Sequence, residues 1–108
     1  MLALWGMLAQ FSYTKMIVVT DSDVDVRSWD DIAWVLATRM DPGRDTVILR
    51  DTPMDYLDFA SPAEGLAGKI GFDATTKIGA ETARDWGQVM TPDPAAEALA
   101  ARLLEGRI

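Results

Sequence analysis

Two short apolar runs along the chain predict buried β-strands. Residues 16–20 read MIVVT and residues 46–49 read TVIL, and continuous β-branched runs of this kind are typical of strands covered on both faces. Between them a helical pattern over about 29–40 places Ile32 and Val35 on one face. A strand, a helix and a strand with short connections predict a βαβ unit with a right-handed parallel crossover. The predicted fold class is therefore α/β, with a βαβ-based sheet.

Polar residues mark the predicted bounds of this helix. Ser28 followed by Asp31 fits a capping box with Asp in place of Glu. The Asp-Pro-Gly sequence at 41–43 is expected to end the helix, because Pro disfavours a helical predecessor and Gly tolerates a positive φ.

Both ends of the chain favour helices that flank the sheet. Residues 2–11 are apolar around most of a helical circumference, so this helix needs burial on several sides. Asp93 as N-cap, Pro94 in the first turn and Gly106 past the end bracket a C-terminal helix. Its apolar stripe suits close packing and consists of Ala96, Leu99, Ala100 and Leu103.

The N-terminal apolar stretch is too short to span a bilayer, which takes roughly 20 apolar residues. It also lacks the basic region and cleavage site of a signal peptide. We therefore expect no transmembrane segment and a cytoplasmic protein.

The middle of the chain, from residue 52 to about residue 90, shows no regular period. Pro and Gly interrupt it, while Tyr56, Phe59 and Phe72 supply apolar anchors. We expect a long, ordered, irregular segment packed onto a neighbour, because loops of this length are usually functional or lie at an interface. Residues 1–108 are expected to form a single domain.

Composition excludes several classes of chemistry. The chain has no Cys and no His, which removes disulfides, zinc–thiolate sites, catalytic triads and imidazole bases. With 10 Lys and Arg against 17 Asp and Glu, its formal charge is −7. An acidic chain is a poor ligand for phosphate backbones, so no nucleic-acid partner is expected.

Three motifs favour structural roles over chemistry. Asp21, Asp23 and Asp25 have the opening spacing of a calcium loop, but Val26 and Ile32 occupy the positions of its Gly and its bidentate Glu. We interpret them as an acidic turn whose carboxylates cap backbone N–H groups.

The glycines at 65, 68 and 71 surround Lys69 but lack the hydroxyl residue of a Walker loop, so turn chemistry explains them better. Asp55 and Asp58 are a candidate acid/base pair, for which a capping or solvated role is the more frequent one. No self-sufficient catalytic set is present.

Longer stretches resemble the C-terminal domain of UbiD-family decarboxylases. The resemblance begins with YTKMIVVTDSDVDVRSWDD at 13–31 and continues through TRMDPGRDT at 38–46. It is strongest in TPMDYLDFASP at 52–62, which is similar to the TPIDYLDFASP of 4-hydroxy-3-polyprenylbenzoate decarboxylases of ubiquinone biosynthesis. GKIGFDATTK at 68–77 and ETARDWG at 81–87 match the following segment. One departure is Ser22, which separates acidic residues that are often consecutive in the family.

This resemblance implies non-oxidative decarboxylation of an aromatic or α,β-unsaturated acid by a larger enzyme that uses prenylated FMN, manganese and a monovalent cation. The family's cofactor and its Glu–Arg–Glu catalytic set lie in a preceding domain, so no residue of this chain is assigned a catalytic, cofactor-binding or metal-binding role. The implied partners are the upstream flavin-binding domain and further copies of the enzyme. The resemblance places the substrate-pocket wall at two stretches of this chain. They contain Phe11, Tyr13, Lys15, Thr52, Pro53 and Met54.

The sequence leaves three functions to compare. The chain is either part of such an enzyme, inactive alone, or a non-catalytic oligomerisation or interaction domain derived from one. A self-contained flavin binder is a third possibility, but it would need a glycine-rich phosphate cradle that the sequence lacks. Because the helix at 2–11, the anchors at 56–72 and the C-terminal stripe exceed what one small core can cover, we expect an exposed apolar interface.

Overall fold

Three strands form one mixed sheet whose order differs from the order of the chain. The computed structural model describes residues 1–7 and 9–105. Strands β1 (Met16–Thr20), β2 (Thr46–Pro53) and β3 (Leu66–Ala74) lie in the order β1-β3-β2. The central strand β3 runs parallel to β1 and antiparallel to β2.

The predicted parallel pairing of the first two strands is wrong. β3 separates β1 from β2, and β2 runs in the opposite direction to β1. The physical reason is that the chain turns back after Pro53 and pairs β3 with β2 as neighbours, from Pro53 opposite Leu66 to Thr46 opposite Phe72. The α/β class is confirmed, since the sheet has flanking helices and a C-terminal helix.

Strand β3 occupies part of the segment predicted to be irregular. Its glycines hid the strand pattern, and Gly68 and Gly71 serve the strand rather than a turn. Gly71 pairs with Ile17, and a Cβ at this position would lie 3.1 Å from the Trp5 ring. The missing side chain therefore lets the N-terminal segment pack directly on the sheet.

The N-terminal segment forms two short helices in place of the predicted single one. Helix α1 spans Leu2–Trp5, and a 3₁₀ helix spans Ala9–Tyr13. Trp5 is buried, whereas Leu2 and Phe11 stay more than half exposed. The expected burial on several sides is therefore not provided by the described part of this chain.

Helix α2 (Trp29–Thr38) packs on the sheet and has the predicted N-cap, since the Ser28 hydroxyl accepts a hydrogen bond from the Asp31 amide at 3.2 Å. Residues 41–43 do more than end it. Asp41 caps a further short helix, α3 (Pro42–Asp45), and Gly43 lies inside this helix without a positive φ. The core between α2 and the sheet is small. It consists of Val24, Val35 and Ala74, with Val18, Ile32 and Leu36 packed against them.

The C-terminal part extends away from the sheet. After a 3₁₀ helix at Gly79–Glu81, α4 spans Pro94–Glu105 as predicted, and the Asp93 carboxylate accepts a hydrogen bond from the Ala95 amide at 3.0 Å. The predicted stop at Gly106 lies outside the described residues. Every residue of α4 is exposed. The radius of gyration is 19.1 Å, against about 13 Å for a compact domain of this size.

Candidate functional site

The two stretches predicted to form a pocket wall lie at the same edge of the sheet. Residues 11–15 precede the start of β1, and residues 52–54 are at the end of β2. Because β2 is antiparallel to β1, the end of β2 and the start of β1 meet at one edge, where β3 also begins. The parallel pairing predicted from the sequence would have put them at opposite edges. Edge here means the side of the sheet formed by the ends of the strands, and we call residues 11–15 and 52–66 the apolar edge.

Backbone and ring contacts hold the first stretch in place. The Trp5 indole N–H donates to the Thr14 carbonyl at 2.8 Å, and the Thr14 amide donates to the Phe11 carbonyl at 3.2 Å. The Lys15 carbonyl accepts from the Ile70 amide at 3.0 Å, which begins the pairing of β1 with β3. The buried Trp5 side chain thus ties the segment before β1 to the sheet.

The second stretch follows an irregularity in β2. The register with β3 shifts between Leu49 and Thr52, and Asp51 has a φ of 52°. Beyond it, the Thr52 hydroxyl donates to the Ala67 carbonyl at 2.8 Å, and the Met54 amide donates to the Gly65 carbonyl at 2.9 Å. These bonds fix residues 52–54 against the first residues of β3.

An ion pair joins the two stretches. The Lys15 ammonium lies 2.5 Å from a carboxylate oxygen of Asp58, in the loop after the second stretch. The bond from Lys15 lowers the pKa of Asp58. Asp58 therefore acts as a structural anchor rather than as half of an acid/base pair with Asp55. Sequence reasoning missed this partner of Lys15 because the two residues are 43 positions apart, although Asp58 lies within the motif at 52–62.

The six predicted wall residues differ in how far they face outward. Phe11 is 53% exposed and Tyr13 42% exposed. Lys15 and Pro53 are also exposed, and Thr52 is half-buried. Met54 is only 7% exposed, so its side chain packs inside the domain. The geometry brings the six residues to one edge and leaves five of them open to solvent at least in part.

The opposite edge of the sheet, which we call the charged edge, consists of Asp21, Asp23, Arg39, Arg44, Asp45, Asp73 and Lys77. There the buried Arg39 guanidinium donates to Asp21 at 3.1 Å and to both oxygens of Asp23 at 2.9 and 2.6 Å. Asp21 also accepts from the amide and hydroxyl of Thr76, both at 2.7 Å, and these bonds lower its pKa. The carboxylates of the acidic turn thus bind the Thr76 backbone amide and the Arg39 guanidinium.

A second group at the charged edge surrounds a buried lysine. Lys77 is 3% exposed and lies 3.1 Å from the Asp73 carboxylate and 3.5 Å from that of Asp45. Arg44 binds both oxygens of Asp45, at 2.8 and 2.7 Å. These bonds hold the pKa of Asp45 at about 2, against an ordinary value of 3.8.

Lys69, on β3 between the two edges, is buried like Lys77 but without a carboxylate partner among the described residues. It is 4% exposed, and burial lowers the pKa of its ammonium. Its strand partner is Leu49, and its neighbours on the same face are Ala67 and Gly71. Among the hydrogen bonds and ion pairs of the described residues, none involves the Lys69 ammonium.

A broad, open cleft in the described part of the chain lies away from the predicted wall. It has a volume of about 1230 Å³ and lies between the end of α2 and the extended segment at 82–90. Trp34 and Trp86 line it, and the Arg39 guanidinium lies 5.2 Å from the centre of the Trp34 ring. None of the six wall residues borders this cleft.

The acidic and glycine residues of the described part of this chain are engaged in contacts of the fold. The described residues contain no group of three or more carboxylates arranged to hold a metal. Gly68 and Gly71 lie within β3, and Gly65 precedes it with a φ of 75°. The carboxylates at the charged edge are bound by Arg39, Arg44 and Lys77. These contacts account for the glycines and the acidic residues in the described part of this chain. In the same part, no helix has the length and apolarity needed to cross a membrane.

Comparison with known proteins identifies the family. Residues 1–74 match the family model of the 3-octaprenyl-4-hydroxybenzoate carboxy-lyase C-terminal domain, the UbiD C-terminal domain. The match covers more than half of the chain, and the chain belongs to this family.

Solved structures with a similar fold include two decarboxylases and a UbiD-class enzyme. Vanillic acid decarboxylase of Sedimentibacter hydroxybenzoicus, in its open form, is 28% identical in sequence to this chain and superposes with a TM-score of 0.77. The match covers 96% of this chain and 22% of the decarboxylase chain. A UbiD-class enzyme from Pelotomaculum thermopropionicum, in complex with FMN, is 29% identical with a TM-score of 0.60, over 83% of this chain and 20% of its own. The 3,4-dihydroxybenzoic acid decarboxylase of Klebsiella pneumoniae is 26% identical with a TM-score of 0.60, over 83% and 20%. The chain thus spans about a fifth of the length of these structures.

Proposed function

We propose that residues 1–108 act as the C-terminal domain of a prenylated-FMN-dependent, non-oxidative decarboxylase and supply one wall of its substrate pocket. The family match over residues 1–74 carries the proposal. The sheet topology supports the wall, because it puts residues 11–15 and 52–54 at one edge. A flavin is consistent with the FMN held by the Pelotomaculum enzyme.

This chain contributes position and shape to the reaction rather than proton transfer. When bound in the preceding domain, prenylated FMN together with manganese supplies the decarboxylation chemistry. The exposed side chains of Phe11 and Tyr13 offer apolar surface to an aromatic acid, and the Lys15–Asp58 ion pair fixes the segment that carries them. Apolar walls of this kind hold a substrate and keep water out of its pocket.

Reconstitution tests the proposal. The 108-residue chain is mixed with the flavin-binding domain of the same enzyme, loaded with prenylated FMN and manganese, and CO₂ release is measured. We expect turnover in the mixture and none from either part alone. Turnover by the chain alone, or association without turnover, contradicts the proposal.

The substrate we propose is a 4-hydroxy-3-polyprenylbenzoate, which would place the enzyme in ubiquinone biosynthesis. The motif TPMDYLDFASP at 52–62 supports this choice, as does the description of the matching family. The reconstituted enzyme should prefer this acid over vanillic acid and 3,4-dihydroxybenzoic acid, the acids named for two of the similar structures. Equal or better turnover of either smaller acid would reject the proposed substrate and leave the class intact.

A role in assembly is the second candidate, and helix α4 favours it. Leu99 is 53% exposed and Leu103 62% exposed, on a helix with no buried residue. An exposed apolar stripe of this kind marks a protein contact, and we propose that α4 binds a further copy of the enzyme. If the chain associates tightly with the flavin-binding domain but restores no turnover, it is a non-catalytic interaction domain derived from such an enzyme.

Self-association of the isolated chain follows from the same stripe. We expect light scattering to show oligomers at high concentration, and Leu99→Ser with Leu103→Ser to return the chain to a monomer. The matched control is Val26→Ser, which also changes an exposed apolar residue. A wild-type chain that stays monodisperse and monomeric would contradict the assembly role.

A further inference from the structure

The loop at 55–61 of the apolar edge is held by its own hydrogen bonds. The Asp55 carboxylate accepts from the Leu57 amide at 2.9 Å, and the Asp58 amide donates to the Asp55 carbonyl at 3.0 Å. The Asp58 carboxylate accepts from the Ala60 amide at 3.2 Å, and the Ser61 hydroxyl donates to the Asp58 carbonyl at 2.6 Å. Together with the Lys15–Asp58 ion pair, these bonds fix the loop to the start of β1.

This fixed loop holds large apolar side chains in water. Phe59 is 92% exposed, Tyr56 66% and Leu57 63%. Single exposed apolar residues are normal on a protein surface, but three within four positions form a patch of the kind that marks a contact. Because the loop is already ordered, a partner that covers it pays little further conformational entropy.

The position of the loop points to its occupant. It directly follows wall residues 52–54 and is joined by Asp58 to wall residue Lys15, so whatever covers the loop also closes over the wall. A pocket with one wall on this chain needs its other walls from the remaining four-fifths of the enzyme, judged by the length of the similar structures.

Charge disfavours a second copy of this edge as the occupant. The apolar edge, residues 11–15 and 52–66, contains three acidic residues, Asp55, Asp58 and Glu64, against one cation, Lys15, which is already paired with Asp58. Two copies of the edge would bring like charges together around the apolar side chains. A socket with a basic rim has the complementary charge.

We propose that the loop at 55–61 is a docking element that inserts Tyr56, Leu57 and Phe59 into an apolar socket, rimmed by Lys or Arg, on the flavin-binding domain of the same enzyme. The inference rests on the proposed function and adds to it the contact that closes the pocket. The loop contains none of the six proposed wall residues, and we assign it no contact with a reacting group.

Binding of the full chain to the flavin-binding domain tests the inference by titration calorimetry. We expect Leu57→Ser with Phe59→Ser to raise Kd at least tenfold, since central apolar anchors carry most interface energy. Val26→Ser is the matched control, because Val26 is 69% exposed at the opposite end of β1, and it should change Kd less than twofold. Circular dichroism confirms that each variant is folded, as expected for exposed positions. Raising the salt concentration should weaken wild-type binding because the rim is charged.

A fluorescent label locates the contact independently. The chain has no Cys, so Phe59→Cys and Val26→Cys each give one site for an environment-sensitive dye. We expect a blue shift on adding the flavin-binding domain for the dye at 59 and no shift at 26. If the wild-type chain restores turnover and the loop variants bind the flavin-binding domain with the same Kd as the wild type, the docking inference is wrong and the proposed function stands. Loop variants that alter only self-association overturn it too, and a wild-type chain that does not bind at all contradicts the proposed function as well.

Discussion

At the charged edge the buried cations Arg39 and Lys77 each lie against two carboxylates, whereas the apolar edge keeps Phe59 almost wholly in water. The charged edge satisfies its polar groups within the chain, although burying charge there costs desolvation. The apolar edge is ordered by hydrogen bonds but leaves its large side chains uncovered. The comparison teaches that this chain pairs its charged groups internally at one edge of the sheet and leaves a large apolar surface uncovered at the other.

Two buried lysines make the comparison sharp, because they differ in partners rather than in burial. Lys77 is 3% exposed beside Asp45 and Asp73, and Lys69 is 4% exposed with no ion pair among the described residues. The same substitution by Met should therefore have opposite effects at the two positions.

The largest effect is expected for Lys77→Met. Removing this ammonium leaves the buried carboxylate of Asp45 and the half-buried one of Asp73 with one cation fewer. Breaking a buried pair in this way costs about 3 kcal/mol of unfolding free energy, a large share of the roughly 5–15 kcal/mol of a typical domain. Urea denaturation measures the change. Unchanged stability would show that the charged edge does not hold the fold together.

A smaller loss, with a defined pH dependence, is expected for Asp45→Asn. The pKa of Asp45 is about 2 in the folded chain against 3.8 ordinarily, so its stabilisation is present above pH 3.8 and is lost as pH falls toward 2. A shift of this size corresponds to about 2 kcal/mol near neutral pH. Denaturation curves at pH 7 and pH 2 should show the difference from wild type at the first and little at the second. A difference of equal size at both pH values would contradict the assigned cause.

A gain in stability is expected for Lys69→Met. Burial lowers the pKa of Lys69, so the folded state loses this proton at a lower pH than the unfolded state does. Wild-type stability should therefore rise as pH increases through the folded pKa toward 10.5. Met removes the cost of burying the charge, and we therefore expect added stability at pH 7. The gain should shrink at alkaline pH, and a loss of stability at pH 7 would show that Lys69 has a stabilising partner.

The smallest effect on stability is expected for Asp58→Asn. The ion pair with Lys15 is partly exposed, since the Lys15 side chain is 50% accessible, and such pairs contribute little to global stability. The expected change is local: faster amide hydrogen exchange in residues 55–61, with an almost unchanged midpoint of unfolding. Exchange as slow as in the wild type would show that the loop does not depend on Lys15. Asp51→Asn, an exposed acidic position outside the loop, is the matched control.

The local pattern of the sequence predicted those elements whose causes lie within a few residues. Ser28 caps α2, and Asp93 begins α4, because a side-chain oxygen reaches an amide two or three positions away. The apolar runs at 16–20 and 46–49 formed strands because β-branched residues favour extended backbone. The predicted cover on both faces of these strands is wrong within this chain, since Met16 is 58% and Ile48 61% exposed. The motif TPMDYLDFASP at 52–62 indicates the family without reference to the geometry.

Pairings between distant residues were decided only by the tertiary structure. Nothing local states that β3 lies between β1 and β2, because its glycines weaken the strand pattern and Gly71 is needed for the close approach of Trp5, a contact between distant residues. The same holds for Lys15 with Asp58 and for Lys77 with Asp45, whose attraction depends on separation in space. By itself the sequence determined the α/β class and the family. The direction of β2, and with it the meeting of residues 11–15 and 52–54 at one edge, came from the folded sheet, because strand pairing joins residues that a sequence pattern does not relate.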